Sequence, residues 1–276
     1  NNLIQNGYSW GINFYSESVD LNKSKVIIKN NIIRRRENLP ESDEEFAGYG
    51  IDLDTVIENN SHVLIENNTF ADLSWTGIYW DEVEDSLVEI ENNTMTNIGD
   101  AGIGYMMVEE NASVMISGNM FENTYAAGYN SNVGSSEGGL PSTVTWMNNK
   151  IVNNREYGIY YEDDPIYDNG TLNIVANVID NSQEGIYMDY SVDVEGALNI
   201  LFNDITNNTG TIEEYNNDTG IYVESNILDG IARFNNIVNN GFGAYAYGFD
   251  DGEESAVDNL NALYNWWGAT DGPGRS

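Results

Sequence analysis

The chain has 276 residues, no cysteine and a formal net charge of −35, from 45 acidic and 10 basic residues. Without cysteine it can form neither a disulfide framework nor a thiolate metal site. Its charge disfavours nucleic acid and anionic membrane surfaces as partners, because both carry the same sign. The chain has no apolar run of the roughly eighteen residues that a membrane-spanning helix needs, so we expect no membrane insertion.

A short pattern of alternating apolar residues and asparagine recurs along the whole chain. It is clearest at 63–70 and 88–95, where Val-x-Ile-x-x-Asn is followed two residues later by another apolar residue. The asparagine recurs about every 29 residues, a period typical of stacked repeat units. The reference asparagines of the ten copies are Asn2, Asn31, Asn68, Asn93, Asn119, Asn149, Asn177, Asn203, Asn236 and Asn265.

Each reference asparagine is surrounded by apolar residues at a spacing of two. They stand five and three positions before it and two positions after it, as Val63, Ile65 and Phe70 do around Asn68. Period-two alternation with β-branched residues is typical of strands, and an intervening asparagine marks a tight corner because it tolerates left-handed backbone. In this alignment Arg233 occupies an inward position, so we expect either a local bulge that turns it outward or a carboxylate partner.

A third strand follows each corner and begins at a glycine, as at Gly77-Ile78. The separation from asparagine to glycine is mostly nine residues, but it is 19 after Asn31 and 17 after Asn203. We therefore expect corner insertions near 34–47 and 207–219. Three short strands per coil, with inward residues in register, predict an all-β fold: a parallel β-helix (solenoid) of about nine to ten coils with an asparagine ladder.

These columns resemble the right-handed parallel β-helix repeat family, the pectin-lyase-like superfamily, which includes pectin lyases, polygalacturonases and many surface proteins. The ending Tyr264-Asn-Trp-Trp-Gly-Ala-Thr-Asp-Gly-Pro-Gly274 resembles the Asn-Trp-Trp-Gly…Gly-Pro motif of secreted members. The resemblance implies one β-helix domain over 1–276 and no particular activity, since this scaffold hosts many. Because the pattern is already under way at Asn1, we interpret the chain as a piece of a longer one.

The catalytic motifs of the enzymatic relatives are mostly missing. Of the polygalacturonase motifs only the Asp-Asp dipeptide is matched, at Asp163-Asp164 and Asp250-Asp251. Pectate lyases place an Arg or Lys base in a basic groove, which suits a chain of charge −35 poorly. We predict no catalytic residue and no organic cofactor, and a carbohydrate-active enzyme stays as the alternative.

Two outward columns follow the glycines of the third strand, because side chains two and four positions later share the outer face. The tyrosine column is predicted to bind carbohydrate or a protein partner through Tyr79, Tyr160, Tyr187, Tyr222 and Tyr245. Stacked like charges need a neutralising ion, so the acidic column is predicted to bind Ca²⁺ or a similar hard cation. Its residues are Asp54, Asp81, Glu162, Asp189 and Glu224.

The tyrosine column is interrupted by Gly104 and Asn130, which leaves a gap between Tyr79 and Tyr160 as the candidate shallow cleft. Both columns have plainer explanations, because tyrosine suits a half-exposed strand and a hydrated acidic face aids solubility. We predict a cell-surface or extracellular module with a structural or adhesive role, stabilised by Ca²⁺. Its expected partners are neighbouring modules, copies of the same protein or cell-surface glycans, and its eight Asn-x-Ser/Thr sequons suit a glycoprotein.

Overall fold

A computed structural model describes residues 2–6, 10–14, 20–35, 48–134, 139–162, 166–167, 169–209, 219–247 and 260–268, without the side chains of 5, 6, 106, 190–195, 224–229 and 245–247. The two expected corner insertions fall largely outside these ranges. The described part consists of strands and turns, and it contains no helix long and apolar enough to cross a membrane.

Every coil is built from short strands that run nearly at right angles to the stacking direction. In chain order the strands are β1 (Asn2–Asn6), β2 (Trp10–Asn13), β3 (Leu21–Asn22), β4 (Lys25–Lys29), β5 (Asn31–Arg35), β6 (Tyr49–Glu58), β7 (His62–Glu66), β8 (Thr69–Leu73), β9 (Ile78–Glu84), β10 (Leu87–Glu91), β11 (Thr94–Ile98), β12 (Ala101–Glu109), β13 (Ser113–Ser117), β14 (Met120–Glu122), β15 (Ala126–Val133), β16 (Ser142–Met147), β17 (Lys150–Val152), β18 (Tyr157–Tyr161), β19 (Gly170–Val175), β20 (Val178–Asp180), β21 (Glu184–Leu201), β22 (Asp204–Thr206), β23 (Thr219–Arg233), β24 (Asn236–Val238) and β25 (Phe242–Tyr247).

The strands form three sides, and those that pair within the described residues do so in parallel. Side A follows the corner asparagine and has the strand order β1-β5-β8-β11-β14-β17-β20-β22-β24. Side B follows the glycine and contains β2, β6, β9, β12, β15, β18 and β25, whereas side C precedes the asparagine and contains β4, β7, β10, β13, β16 and β19. The long strands β21 and β23 run through side B into side C and join both in one 16-stranded sheet.

The inward columns stack into one core along the axis, which confirms the predicted parallel β-helix. On neighbouring coils Val63 pairs with Val88 and Ile65 with Ile90, and all four side chains are fully buried. Side A stacks nine strands, one for each coil, against the nine to ten coils that the repeat predicts.

Asparagines at the corner between sides C and A form a buried hydrogen-bonded ladder. The backbone N–H and the Nδ2 of Asn93 both donate to Oδ1 of Asn119, at 2.8 and 3.0 Å. Nδ2 of Asn93 also donates to the carbonyl of Ile65 at 2.9 Å. The preceding residue, Asn92, has φ 54°, the left-handed conformation that asparagine tolerates. The Asn93 side chain therefore bridges the coil before it and the coil after it.

One copy of the repeat is displaced by one residue from the predicted alignment. The ladder asparagine of that coil is Asn235, whose Oδ1 accepts a hydrogen bond from the backbone of Asn203 at 2.8 Å. Ala232 is therefore the buried inward residue, and Arg233 lies half-buried on the outside with Nε donating to Asn261 at 3.2 Å. Arg233 is thus turned outward, which was one of the two expected alternatives, but by a one-residue shift of the alignment: Asn235, the first asparagine of the pair, enters the ladder, and Asn236 begins the next strand.

Candidate functional site

The tyrosine column exists on the outside of side B, with a narrower gap than predicted. Its paired positions run Asp52, Tyr79, Gly104, Tyr129, Tyr160, Tyr187, Tyr222 and Tyr245. Asn130 instead pairs with Tyr105 and Tyr161, which are both core residues. The predicted interruption at Asn130 is wrong because Gly128 pairs with Ile159, so that Ala127 occupies the glycine column. The gap is one coil wide, at Gly104.

The tyrosine rings pack on one another and are less exposed than an open binding stripe would be. Tyr160 is 6% exposed and Tyr187 is 8% exposed. The rings of Tyr187 and Tyr222 stack with centroids 4.7 Å apart, and Tyr157 stacks on Tyr160 at 4.5 Å. The ring faces of Tyr160 and Tyr187 are therefore covered by other rings. The side chain of Tyr245 lies outside the described part.

The tyrosine and acidic columns form one hydrogen-bonded face. The hydroxyl of Tyr79 donates to Asp81 at 2.7 Å, and that of Tyr160 donates to Asp189 at 3.2 Å. Tyr129, which the alignment of the internal repeats did not place in the tyrosine column, donates to Glu162. Burial, and after it the neighbouring carboxylates, raises the pKa of Tyr79 and Tyr160 well above the ordinary value, so both hydroxyls stay protonated as donors.

The predicted cation ligands form two groups on this face. Asp54 and Asp81 lie on adjacent coils, and the hydrogen bond with Asp81 is the main cause that raises the pKa of Asp54. Glu162 and Asp189 also lie on adjacent coils, because the residues that precede them, Tyr161 and Met188, pair with each other. The side chain of Glu224, the fifth predicted ligand, lies outside the described part.

The two acidic groups are separated by two coils that carry no carboxylate in this column. Met106 stands between residues that pair with Trp80 and Glu82, and therefore lies next to Asp81. Ser131 takes the same position on the following coil. The acidic column is thus interrupted in its middle.

Three further carboxylates converge where side B turns into side C. One ligand oxygen each from Glu82, Glu84 and Glu109 lies within 4.8 Å of the others, and all three residues are half-buried. Val83 pairs with Val108, so Glu84 and Glu109 face the same way on adjacent coils. Burial first, and then hydrogen bonds with the other two carboxyls, raises the pKa of Glu82 to about 8. The sequence could have indicated this cluster, because Val83 and Val108 occupy equivalent inward positions and so place Glu84 beside Glu109.

Around the Gly104 gap lies a second group of aromatic rings. The ring of Tyr49 is 5.6 Å from that of Tyr79 and 5.9 Å from that of Trp75, which is 50% exposed. A methyl group on Gly104 would meet its nearest neighbours at 3.4 Å, an ordinary contact distance, so a β-carbon fits here without displacing them. The gap thus has aromatic walls and carboxylates close by.

Comparison with known proteins bears on the fold of this chain. A family model described as "Right handed beta helix region" matches residues 49–228, from the start of β6 into β23. No curated protein and no solved structure matches the chain. The family match covers well over half of the sequence. The chain therefore belongs to the right-handed β-helix family.

Proposed function

We propose that this protein is a structural or adhesive module of an extracellular surface, and that Ca²⁺ or a similar hard cation stabilises its acidic side B. A β-helix stacks one repeating unit along an axis, and each coil contacts its neighbours. Such an elongated module suits a structural role. Neighbouring modules, further copies of the chain or cell-surface glycans are its proposed partners. The tyrosine hydroxyls support this role by holding carboxylate oxygens in place.

The observation that carries the cation proposal is the convergence of Glu82, Glu84 and Glu109. Calcium takes six to eight oxygen ligands at about 2.3–2.6 Å, so two of its ligand oxygens are at most about 5.2 Å apart. The 4.8 Å separation within this cluster meets that limit. Three carboxylates this close repel one another strongly unless protons or a cation neutralise them. Asp54 with Asp81, and Glu162 with Asp189, supply further paired oxygens.

Calcium titration of the purified chain tests this proposal directly. We expect heat on titration into protein that was first treated with a chelator, together with a rise in melting temperature. The double variant Glu82→Gln/Glu109→Gln should lose most of both signals, whereas Glu122→Gln, an acid on side A, should keep them. The absence of heat and of any thermal shift in the unaltered protein would remove the cation from the proposal.

A second candidate function is glycan binding at the Gly104 gap. The half-exposed Trp75 beside Tyr49 and Tyr79 supports it, because aromatic rings bordered by carboxylates suit the apolar faces and hydroxyls of sugars. A glycan array should show binding that Trp75→Ala reduces and that Gly104→Tyr, which fills the gap, abolishes. A Leu140→Ala variant provides an exposed apolar control, since this residue is 57% exposed elsewhere on the surface. Equal binding by all variants would exclude the gap.

A further inference from the structure

The corner residue that precedes the ladder asparagine changes character along the axis. In every described copy it has a positive φ, and the residues are Asn30, Asn67, Asn92, Gly118, Asn148, Ala176, Phe202, Phe234 and Tyr264. The first five are asparagine or glycine, which tolerate the left-handed region. The last three are aromatic. The same backbone position thus becomes an unusual site for bulky side chains at one end of the rod.

These three aromatic residues are strained and exposed at once. Phe202, Phe234 and Tyr264 have φ values of 59°, 59° and 64°, which bulky residues rarely adopt. Their side chains are 59%, 52% and 71% exposed. The rings stack in a column, with centroids 5.2 and 5.7 Å apart and planes within 11° of parallel. Neither the corner nor the core needs a ring here, because asparagine closes the same corner elsewhere.

The ring column is part of a larger apolar surface, the aromatic corner, which also includes Leu263 and Trp266. These two residues are 58% and 51% exposed. At about 200 Å² for each large side chain, the aromatic corner exposes about 600 Å². This equals the largest apolar patches of ordinary monomers and approaches the roughly 800 Å² that one partner contributes to a stable interface.

The aromatic corner is also nearly free of the negative charge that dominates the chain. The segments 175–178, 201–204, 233–236 and 263–266 form this corner on the last four coils. They contain two charged residues, Asp204 and Arg233, whose charges cancel. On a chain of net charge −35, two copies repel one another over most of their surfaces, and the repulsion is weakest where the charge sums to zero.

We propose that the aromatic corner is a self-association face on which a second copy of this chain docks about a two-fold axis. Phe234 lies midway along the ring column, so an axis through it brings Phe202 of one copy against Tyr264 of the other. Six rings then bury their edges across one interface. The face is distinct from the acidic side B, and pairing does not depend on a bound cation.

Replacing the three rings by the asparagine found on other coils tests the proposal. Sedimentation of the unaltered chain in chelator should show a dimer whose fraction rises with concentration. The triple variant Phe202→Asn/Phe234→Asn/Tyr264→Asn should stay monomeric at every concentration and melt at an equal or higher temperature, because asparagine relieves the backbone strain. Ile32→Asn is the matched control, since this side chain is 46% exposed at the same corner near the other end. It should dimerise as the unaltered chain does.

A single cysteine provides a second test that does not require the triple variant to fold. The chain has no cysteine, so Phe234→Cys introduces its only thiol. A thiol near a two-fold axis meets its own copy, so mild oxidation should link Phe234→Cys into a dimer and leave Ile32→Cys monomeric. An unaltered chain that stays monomeric at all concentrations would overturn the proposal. Dimers that persist in the triple variant, or that fail to cross-link through position 234, would overturn it as well.

Discussion

Replacing Asn119 by alanine removes four hydrogen bonds from the buried ladder. Nδ2 of Asn119 donates to the carbonyl of Ile90 at 2.8 Å and to Oδ1 of Asn149 at 3.1 Å. Its Oδ1 accepts from the backbone N–H and from Nδ2 of Asn93, at 2.8 and 3.0 Å. The Asn119 side chain is 1% exposed, so water cannot take its place.

The size of the effect follows from the groups that are left without a partner. The backbone N–H of Asn93, one N–H of its amide and the carbonyl of Ile90 each lose a hydrogen bond in the interior. A buried polar group that loses its partner costs about 1–3 kcal/mol. Taking the lower part of this range for each of the three groups, we expect Asn119→Ala to reduce the free energy of unfolding by about 3–5 kcal/mol. That is a large share of the roughly 5–15 kcal/mol typical of a domain.

Urea unfolding followed by tryptophan fluorescence measures this difference. Asn173→Ala is the control, since Asn173 lies half-buried on the outside of side C, where it donates to Thr145 at 3.3 Å and accepts from Asn199 at 3.0 Å. Water can replace both bonds at this surface, so we expect the control to lose about 0.5 kcal/mol or less. If Asn119→Ala lost less than about 1 kcal/mol, or no more than the control, the ladder would not be the source of stability argued above.

Three further predictions concern the charge, the packing and the core. The pKa values of Glu82 and Asp52 are raised to about 8 and about 6, in both cases mainly by burial. The folded chain therefore holds protons that the unfolded chain releases. The melting temperature in chelator should thus fall as pH rises from about 4 through 8, and Glu82→Gln should flatten the fall; an unchanged slope would contradict this. A methyl group on Gly158 would lie 2.2 Å from the carbonyl oxygen of Gly185, so Gly158→Ala should cost about 1–3 kcal/mol in urea unfolding while Gly104→Ala costs little. The fully buried amide of Asn130 has no hydrogen-bond partner within the described ranges, so Asn130→Val should raise the melting temperature, and a lowered one would indicate a partner.

Side B shows which features of the candidate site could be predicted from the sequence and which could not. Tyr79, Tyr160 and Tyr187 could be assigned to one outer column because strand side chains alternate strictly. The burial of Tyr160 and Tyr187 by neighbouring rings could not be assigned, because it depends on Tyr157, which stands outside the repeat's aligned positions. Tyr129 was missed because the glycine beside it was aligned to the wrong column.

Local patterns in the sequence were enough to predict a parallel β-helix. Period-two alternation and a corner asparagine are local properties, and copies of them recur wherever a coil must close and stack on the next. Three-dimensional packing set the register of individual coils, since a shift of one residue moves a side chain from the core to the surface. Asn235, and not its neighbour Asn236, therefore enters the ladder, and Arg233 lies outside. It also decided which distant groups meet: Glu109 reaches Glu82 and Glu84 only through stacking, and the rings of Phe202, Phe234 and Tyr264 become one surface only when their coils lie in contact.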